Sequence, residues 1–282
     1  MPTLSDMKPQ PKVYRLPEKI ETILIPTDFS EASRNAFMYA LDIGARLGAE
    51  IVLVHIHDEI KTEERKTQYK RAFEGYKKAA ALRAGPDELN ISSLLVQGEP
   101  ANNILQLSQE IGADLIVMGT QGAASHDSKP LGSIAASVIE KALCPVLAVP
   151  AEASFRPIDQ LLYAMAFASS DQKIVDYLLE LSEQLKAPLS CVHISTEHSD
   201  WEDIELEEFR ATYNSREDAS ISFHMVDNVD LLHGLQDIIS QMRVDVLVMN
   251  TRNRSLFERF FAPSFTRSML LYADLPLLAL HA

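Results

Sequence analysis

The chain has 282 residues, 46% of them hydrophobic and 23% charged, the make-up of a globular protein with room for two domains of ordinary size. A formal net charge of −14 argues against a basic surface built for nucleic acid. Apolar runs such as 51–56 and 275–280 are far shorter than the roughly 18 residues that cross a bilayer, so no membrane span is expected and a cytoplasmic location is.

Taken in order, residues 1–19 carry prolines at 2, 9, 11 and 17 with mixed charge and no apolar core of a signal peptide, and read as a flexible tail. Thr22 to Pro26 is a short apolar run, and residues 30–47 then place Ala36, Phe37, Ala40, Ile43, Gly44 and Leu47 on one helical face. Ser30 is a good N-cap, Gly48 sits where helices end, and Ile51 to Ile56 reads as a buried strand. A lysine-rich helix follows at 60–84, whose Lys61 to Lys78 alternate with Glu63, Glu64 and Glu74 like a solvated face. Strands near 91–97, 114–118 and 146–149 alternate with helices at 100–111 and 132–142. Such alternation predicts a parallel sheet covered by helices on both faces, with ligands bound beyond the carboxyl ends of the strands. His55 and His57 are expected on opposite faces of their strand, which would keep them from sharing a metal. Cys144 and Cys191 fall in apolar runs and read as buried, reduced thiols.

The remaining chain repeats this pattern. Residues 22–59 align without a gap on 160–197, matching Leu24 with Leu162, Phe29 with Phe167 and Val54-His55-Ile56 with Val192-His193-Ile194. A second gapless register pairs Asp114 with Asp245, Val117-Met118 with Val248-Met249, Thr120 with Thr251, Ser133 with Ser264 and Pro145 with Pro276. The expectation is two tandem doubly wound α/β domains, each with a mainly parallel five-stranded sheet, related by a pseudo-twofold, at 20–152 and 153–282. The apolar strands 145–149 and 276–280 are expected to face each other inside the chain, covering two otherwise sticky edges; a further homodimer is compatible with this.

Three features of the first copy fall at strand ends: Asp28, Ile56 and the segment from Gly119. The last reads G-x2-G-x9-G-S, with Gly119, Gly122, Gly132 and Ser133. Glycines let a backbone approach an anion and adopt positive φ, and the amino end of the helix after Gly132 favours phosphate. The spacing fits neither a Walker A loop nor the compact dinucleotide fingerprint.

Ile23 to Ser30, the Val54-His55-Ile56 strand end, Val117-Met118-Gly119 with its glycine spacing, and Cys144-Pro145-Val146 together resemble the universal stress protein family in its tandem, Rossmann-like form, over residues 20–282. That resemblance implies ATP or a related adenine nucleotide, with or without magnesium. Asp28 would contact the adenosine part, the backbone of Ile56 would meet adenine, and Gly119, Gly122, Gly132 and Ser133 would hold phosphates. Pro26, Thr27, Met118 and Ile134 would line the pocket. In the second copy Asp28 becomes Ala166, Gly119 becomes Asn250, Gly122 becomes Asn253 and Gly132 becomes Pro263, leaving only Ser264, so one nucleotide per chain is expected. The loop 252–261 mixes arginines with three phenylalanines, as a lid over an emptied pocket or a docking element for an unknown protein partner. The leading expectation is a regulatory nucleotide-binding protein of the stress response. No general base or arginine stands out near the phosphates, so a slow ATP hydrolase ranks second and a nucleotide-independent scaffold third.

Overall fold

A computed structural model of the chain describes residues 13–59, 62–84, 89–121, 132–196, 199–214, 220–252 and 275–281. Its first five strands are β1 (Thr22–Pro26), β2 (Glu50–His57), β3 (Ile91–Gln97), β4 (Leu115–Gly119) and β5 (Val146–Val149), connected by α1 (Glu31–Leu47), α2 (Glu63–Ala84), α3 (Pro100–Glu110) and α4 (Ser133–Lys141). The later part contains β6 (Leu161–Met165), α5 (Asp171–Leu185), β7 (Leu189–Ser195), α6 (Asp200–Asn214), β8 (Ile221–Asp227), α7 (Leu231–Met242), β9 (Val246–Asn250) and β10 (Leu277–Leu280). The elements expected from periodicity in the first half form at their predicted places, with ends displaced by up to three residues.

Local chemistry explains the boundaries. The Ser30 hydroxyl accepts from the Ser33 N–H and starts α1; Gly48, at φ 68°, ends it by returning its own N–H to the Gly44 carbonyl. Glu99 caps α3 with its carboxylate, accepting from the N–H groups of Ala101 and Asn102, and Pro100 occupies the first turn, where no donor is needed. The apolar β1 segment is buried on both faces: Ile23, Leu24 and Ile25 expose no surface, each such burial being worth about 1.5–3 kcal/mol.

All ten strands join one sheet in the order β3-β2-β1-β4-β5-β10-β9-β6-β7-β8. Every neighbouring pair is parallel except β5 and β10, which run antiparallel with Leu278 opposite Leu147. Read from the outer edge in to the seam, the order 3-2-1-4-5 of the first half thus recurs as 8-7-6-9-10 in the second, in one continuous sheet. Strand residues alternate between faces. Ile23, Ile25, Leu53, Tyr163 and Cys191 pack with α1, α2, α5 and α6, whereas Leu24, Val54, Ile116 and Met118 pack with α3 and α4, and Leu162, Val192 and Leu247 with α7. One layer of four helices therefore covers one face from end to end, with Arg46 of α1 donating to the carbonyls of Ile158 and Leu185 where the halves meet. Cys144 and Cys191 are buried and unbridged, and burial pushes the Cys144 thiol up to about 12, far from the reactive thiolate. No helix among the described residues is long and apolar enough to cross a membrane.

Candidate functional site

The carboxyl ends of β1, β2 and β4 and the start of α4 converge beside the N-terminus of α1. At the end of β1, Pro26 is buried and Thr27 is turned inward: its hydroxyl lies 3.1 Å from both Ser33 Oγ and Tyr76 OH and accepts the Phe29 N–H at 3.0 Å. The side chain of Thr27 is thereby committed to the α1 and α2 layer. Asp28 is exposed and its Oδ1 accepts the Ser30 N–H at 3.0 Å, a tight Asx turn that presents the carboxylate at the edge. Phe29 takes the left-handed region at φ 65°, uncommon without a glycine, and its ring joins His55, Tyr69, Phe73 and Tyr76.

Ile56 owes its place to register. Pairing of β1 with β2 ends at Pro26 opposite Val54, and the Thr27 N–H closes on the Val54 carbonyl at 2.8 Å. Residues two apart in a strand direct their backbone groups to the same side, so Ile56 aims its N–H and C=O past the end of β1, into the crevice. His55 and His57 do not lie on opposite faces as expected. Residues two apart share a face, and both rings meet Tyr69, with centroids 4.4 and 6.2 Å away. His55 Nδ1 contacts the Thr27 carbonyl at 2.7 Å, and burial lowers its pKa, partly countered by that hydrogen bond.

At β4, Met118 is buried in the α3 and α4 core, and Gly119 ends the strand. A Cβ on Gly119 would stand 2.8 Å from the carbonyl carbon and Cβ of Ala32 and 3.0 Å from the Ser33 nitrogen. Glycine is required there for the close approach of α1, and not for positive φ, which among the described glycines occurs only at 48, 98 and 112. Gly132 likewise has an extended backbone, φ −70° and ψ 158°; its N–H donates to the Thr120 carbonyl at 2.6 Å, and a Cβ would come within 3.1 Å of that oxygen. Ser133 opens α4 and is exposed, as is Ile134 at 39%. Gly122 lies outside the described residues.

Thr120, which no motif of the sequence marks as a site residue, is the added feature here. It is buried, and its hydroxyl has no hydrogen-bond partner among the described residues. Its aligned counterpart Thr251 donates to the Leu280 carbonyl and meets His281, where the first half carries Pro150. The helix amino ends nearby also differ. Ser30, Thr62 and Glu99 bring side-chain acceptors to α1, α2 and α3, whereas Gly132 brings none to α4.

Corresponding positions in the second half are filled by protein. Asn250, aligned with Gly119, is buried and bonds through Nδ2 to Ser170, the counterpart of Ala32, while its Oδ1 accepts the Arg252 N–H. Ala166, in place of Asp28, donates its N–H to buried Asp171, which also accepts the Tyr163 hydroxyl at 2.6 Å. Glu202 of α6 reaches over His193, accepting from its Nε2 at 3.0 Å, from Ser195 Oγ at 2.8 Å and from the N–H and hydroxyl of Ser199. Desolvation pushes this carboxyl up, but the hydrogen bonds from His193, Ser195 and Ser199 outweigh it and hold the pKa at about 2. Nothing in the linear sequence marks Glu202, because its partners come from another element. Of the Arg and Phe segment 252–261 only Arg252 is described, and Asn253, Pro263 and Ser264 lie outside the described residues. Among the described residues no cluster of His, Cys, Asp and Glu is arranged to hold a metal.

Known proteins place this architecture. The universal stress protein family matches residues 19–150. A universal stress protein of Methanocaldococcus jannaschii is 34% identical over 140 residues, which are 45% of this chain and 80% of that protein. One from Thermus aquaticus is 36% identical over 137 residues, 46% of this chain and 98% of its own. The crystal structure of a universal stress protein from Archaeoglobus fulgidus has the same fold along nearly the whole chain, with a TM-score of 0.71 over 95% of this chain and 98% of that one at 18% identity. The chain belongs to the universal stress protein family.

Proposed function

We propose that residues 20–152 form a domain that binds ATP or a related adenine nucleotide, and that residues 153–282 are a second copy of that domain whose phosphate cradle is lost. The observation that carries this reading is the junction of Thr120 and Gly132: the residue whose carbonyl receives the Gly132 N–H also carries a buried hydroxyl without a partner among the described residues, and the helix that Gly132 opens has no side-chain cap. A phosphate would satisfy both, since oriented N–H groups and the positive end of the helix dipole favour an anion. Ile56's outward backbone suits the edge of a base, and Asp28 stands between the two at the rim.

The duplication is supported by bonds that recur at aligned positions. Glu21 and Asp159 donate their N–H groups to Asp114 and Asp245; His55 and His193 contact the carbonyls of Thr27 and Met165; Phe29 and Phe167 both take positive φ. The antiparallel seam of β5 and β10 suits a pseudo-twofold between the copies. In the second copy Asn250 and Glu202 satisfy internally what the first copy leaves to a ligand. Nucleotide occupancy of the first copy then serves regulation, by biasing a conformation or a partner surface.

Mass spectrometry of ligand retained by the purified chain, with calorimetric titration of ATP, tests the reading. One saturable adenine-nucleotide site per chain, abolished by Gly132→Val, is expected; no site, or two equal sites, would overturn it. Multiple turnovers of ATP would replace the regulatory role with hydrolysis.

A further inference from the structure

The two outer helices of the four-helix layer have diverged to opposite charge. α2 carries seven Lys and Arg against three Glu, whereas α6 carries six Asp and Glu against one Arg. Their inward residues, Phe73, Tyr76 and Ala80 on α2 and Leu206 and Tyr213 on α6, pack into one common core. The opposite stripe of α2 is Arg71, Gly75, Lys78 and Leu82, and that of α6 is Trp201, Ile204, Glu208 and Ala211, all exposed. Leu82 is 90%, Trp201 53% and Ile204 59% exposed.

Two details distinguish these stripes from ordinary solvated faces. Gly75 sits in the middle of a 22-residue helix with nothing within 4 Å of where a Cβ would be, so no contact inside the chain uses its missing side chain. Such a glycine costs the helix about 1 kcal/mol relative to alanine. Among the described residues Arg71 and Lys78 on one stripe, and Glu208 on the other with Asp200 beside it at the start of α6, have no ion-pair partner, although Lys77 and Arg210 are paired within their own helices. On a chain of net charge −14, α2 is a basic island that an acidic helix can approach.

We infer that the acidic, apolar outer face of α6 in one copy of this chain docks on the basic, glycine-notched outer face of α2 in a second copy. The notch at Gly75 admits Ile204 or Trp201, the indole can lie over the Lys78 or Arg71 cation, and Asp200 and Glu208 pair with the remaining charge. Each copy carries both unlike faces, which are about 33 and 22 Å long by helix rise, so the contact is small, salt-sensitive and independent of nucleotide.

Sedimentation velocity with light scattering across a concentration series reads this directly. The wild-type chain is expected to exceed monomer mass at low ionic strength and to revert to monomer in concentrated salt. Arg71→Glu with Lys78→Glu, or Asp200→Lys with Glu208→Lys, should each give a monomer with an unchanged melting curve, and all four changes in one chain should restore association. A wild-type chain that stays monomeric, a reversed pair that leaves association intact, or a fourfold variant that remains monomeric overturns the inference.

Discussion

Replacing Gly119 by alanine separates two explanations of the glycine after β4. If the residue were there only for a ligand, a methyl group would be harmless to the unliganded fold, since its φ is not positive. The geometry says otherwise. The new Cβ would meet backbone and Cβ atoms of Ala32 at 2.8 Å, where ordinary contact begins near 3.4 Å, so the first turn of α1 must withdraw by about half an ångström. Overpacking of this kind costs about 1–3 kcal/mol. For a chain of this size that is a fall in melting temperature of roughly 2–10 °C. Gly132→Ala, with a 3.1 Å approach to a single oxygen, should cost less, and Gly75→Ala, in open space, should raise the melting temperature by roughly 2–4 °C because alanine is the better helix former. Thermal denaturation followed by circular dichroism, without nucleotide and at low protein concentration, ranks the three. A Gly119→Ala chain as stable as wild type, or less affected than Gly132→Ala, would refute the packing argument.

Thr120→Val removes a buried hydroxyl that has no partner among the described residues, so stability without nucleotide should be unchanged or slightly higher, while calorimetry should read weaker ATP binding; a clear loss of thermal stability would mean that the hydroxyl already serves the fold. Glu202 predicts an acid limb. Its folded pKa of about 2 lies below the ordinary 4.5, so its contribution is full above about pH 4.5 and drains as pH falls toward 2. Glu202→Gln should destabilise the chain at neutral pH, by stranding donors from His193 or Ser195, and should flatten the loss of stability between those pH values; equal acid limbs in the two proteins would remove Glu202 from that role.

Much of this was legible along the chain because the signals are local. Short apolar runs alternating with helical periodicity specify strands and helices wherever they fall, and Ser30, Gly48 and Pro100 mark boundaries by backbone chemistry that needs no tertiary partner. The internal repeat and the glycine spacing are likewise properties of order in sequence, and they pointed to the same edge that the strands create. What chain order could not supply is distance between elements. Gly119 reads in the sequence as a glycine that admits an anion or takes positive φ, and only α1 lying against it supplies the packing reason; Thr27 reads as pocket lining, and only the fold joins its hydroxyl to Ser33 and Tyr76. Ile56 gained an open backbone only because β2 outruns β1, and Thr120 became notable only because Pro150 stands where the second half has His281. The sequence by itself determined the elements, their order and the family. Tertiary packing decided which polar groups are spent inside the chain and which remain to meet something else, because that depends on neighbours brought together from elements far apart in the sequence.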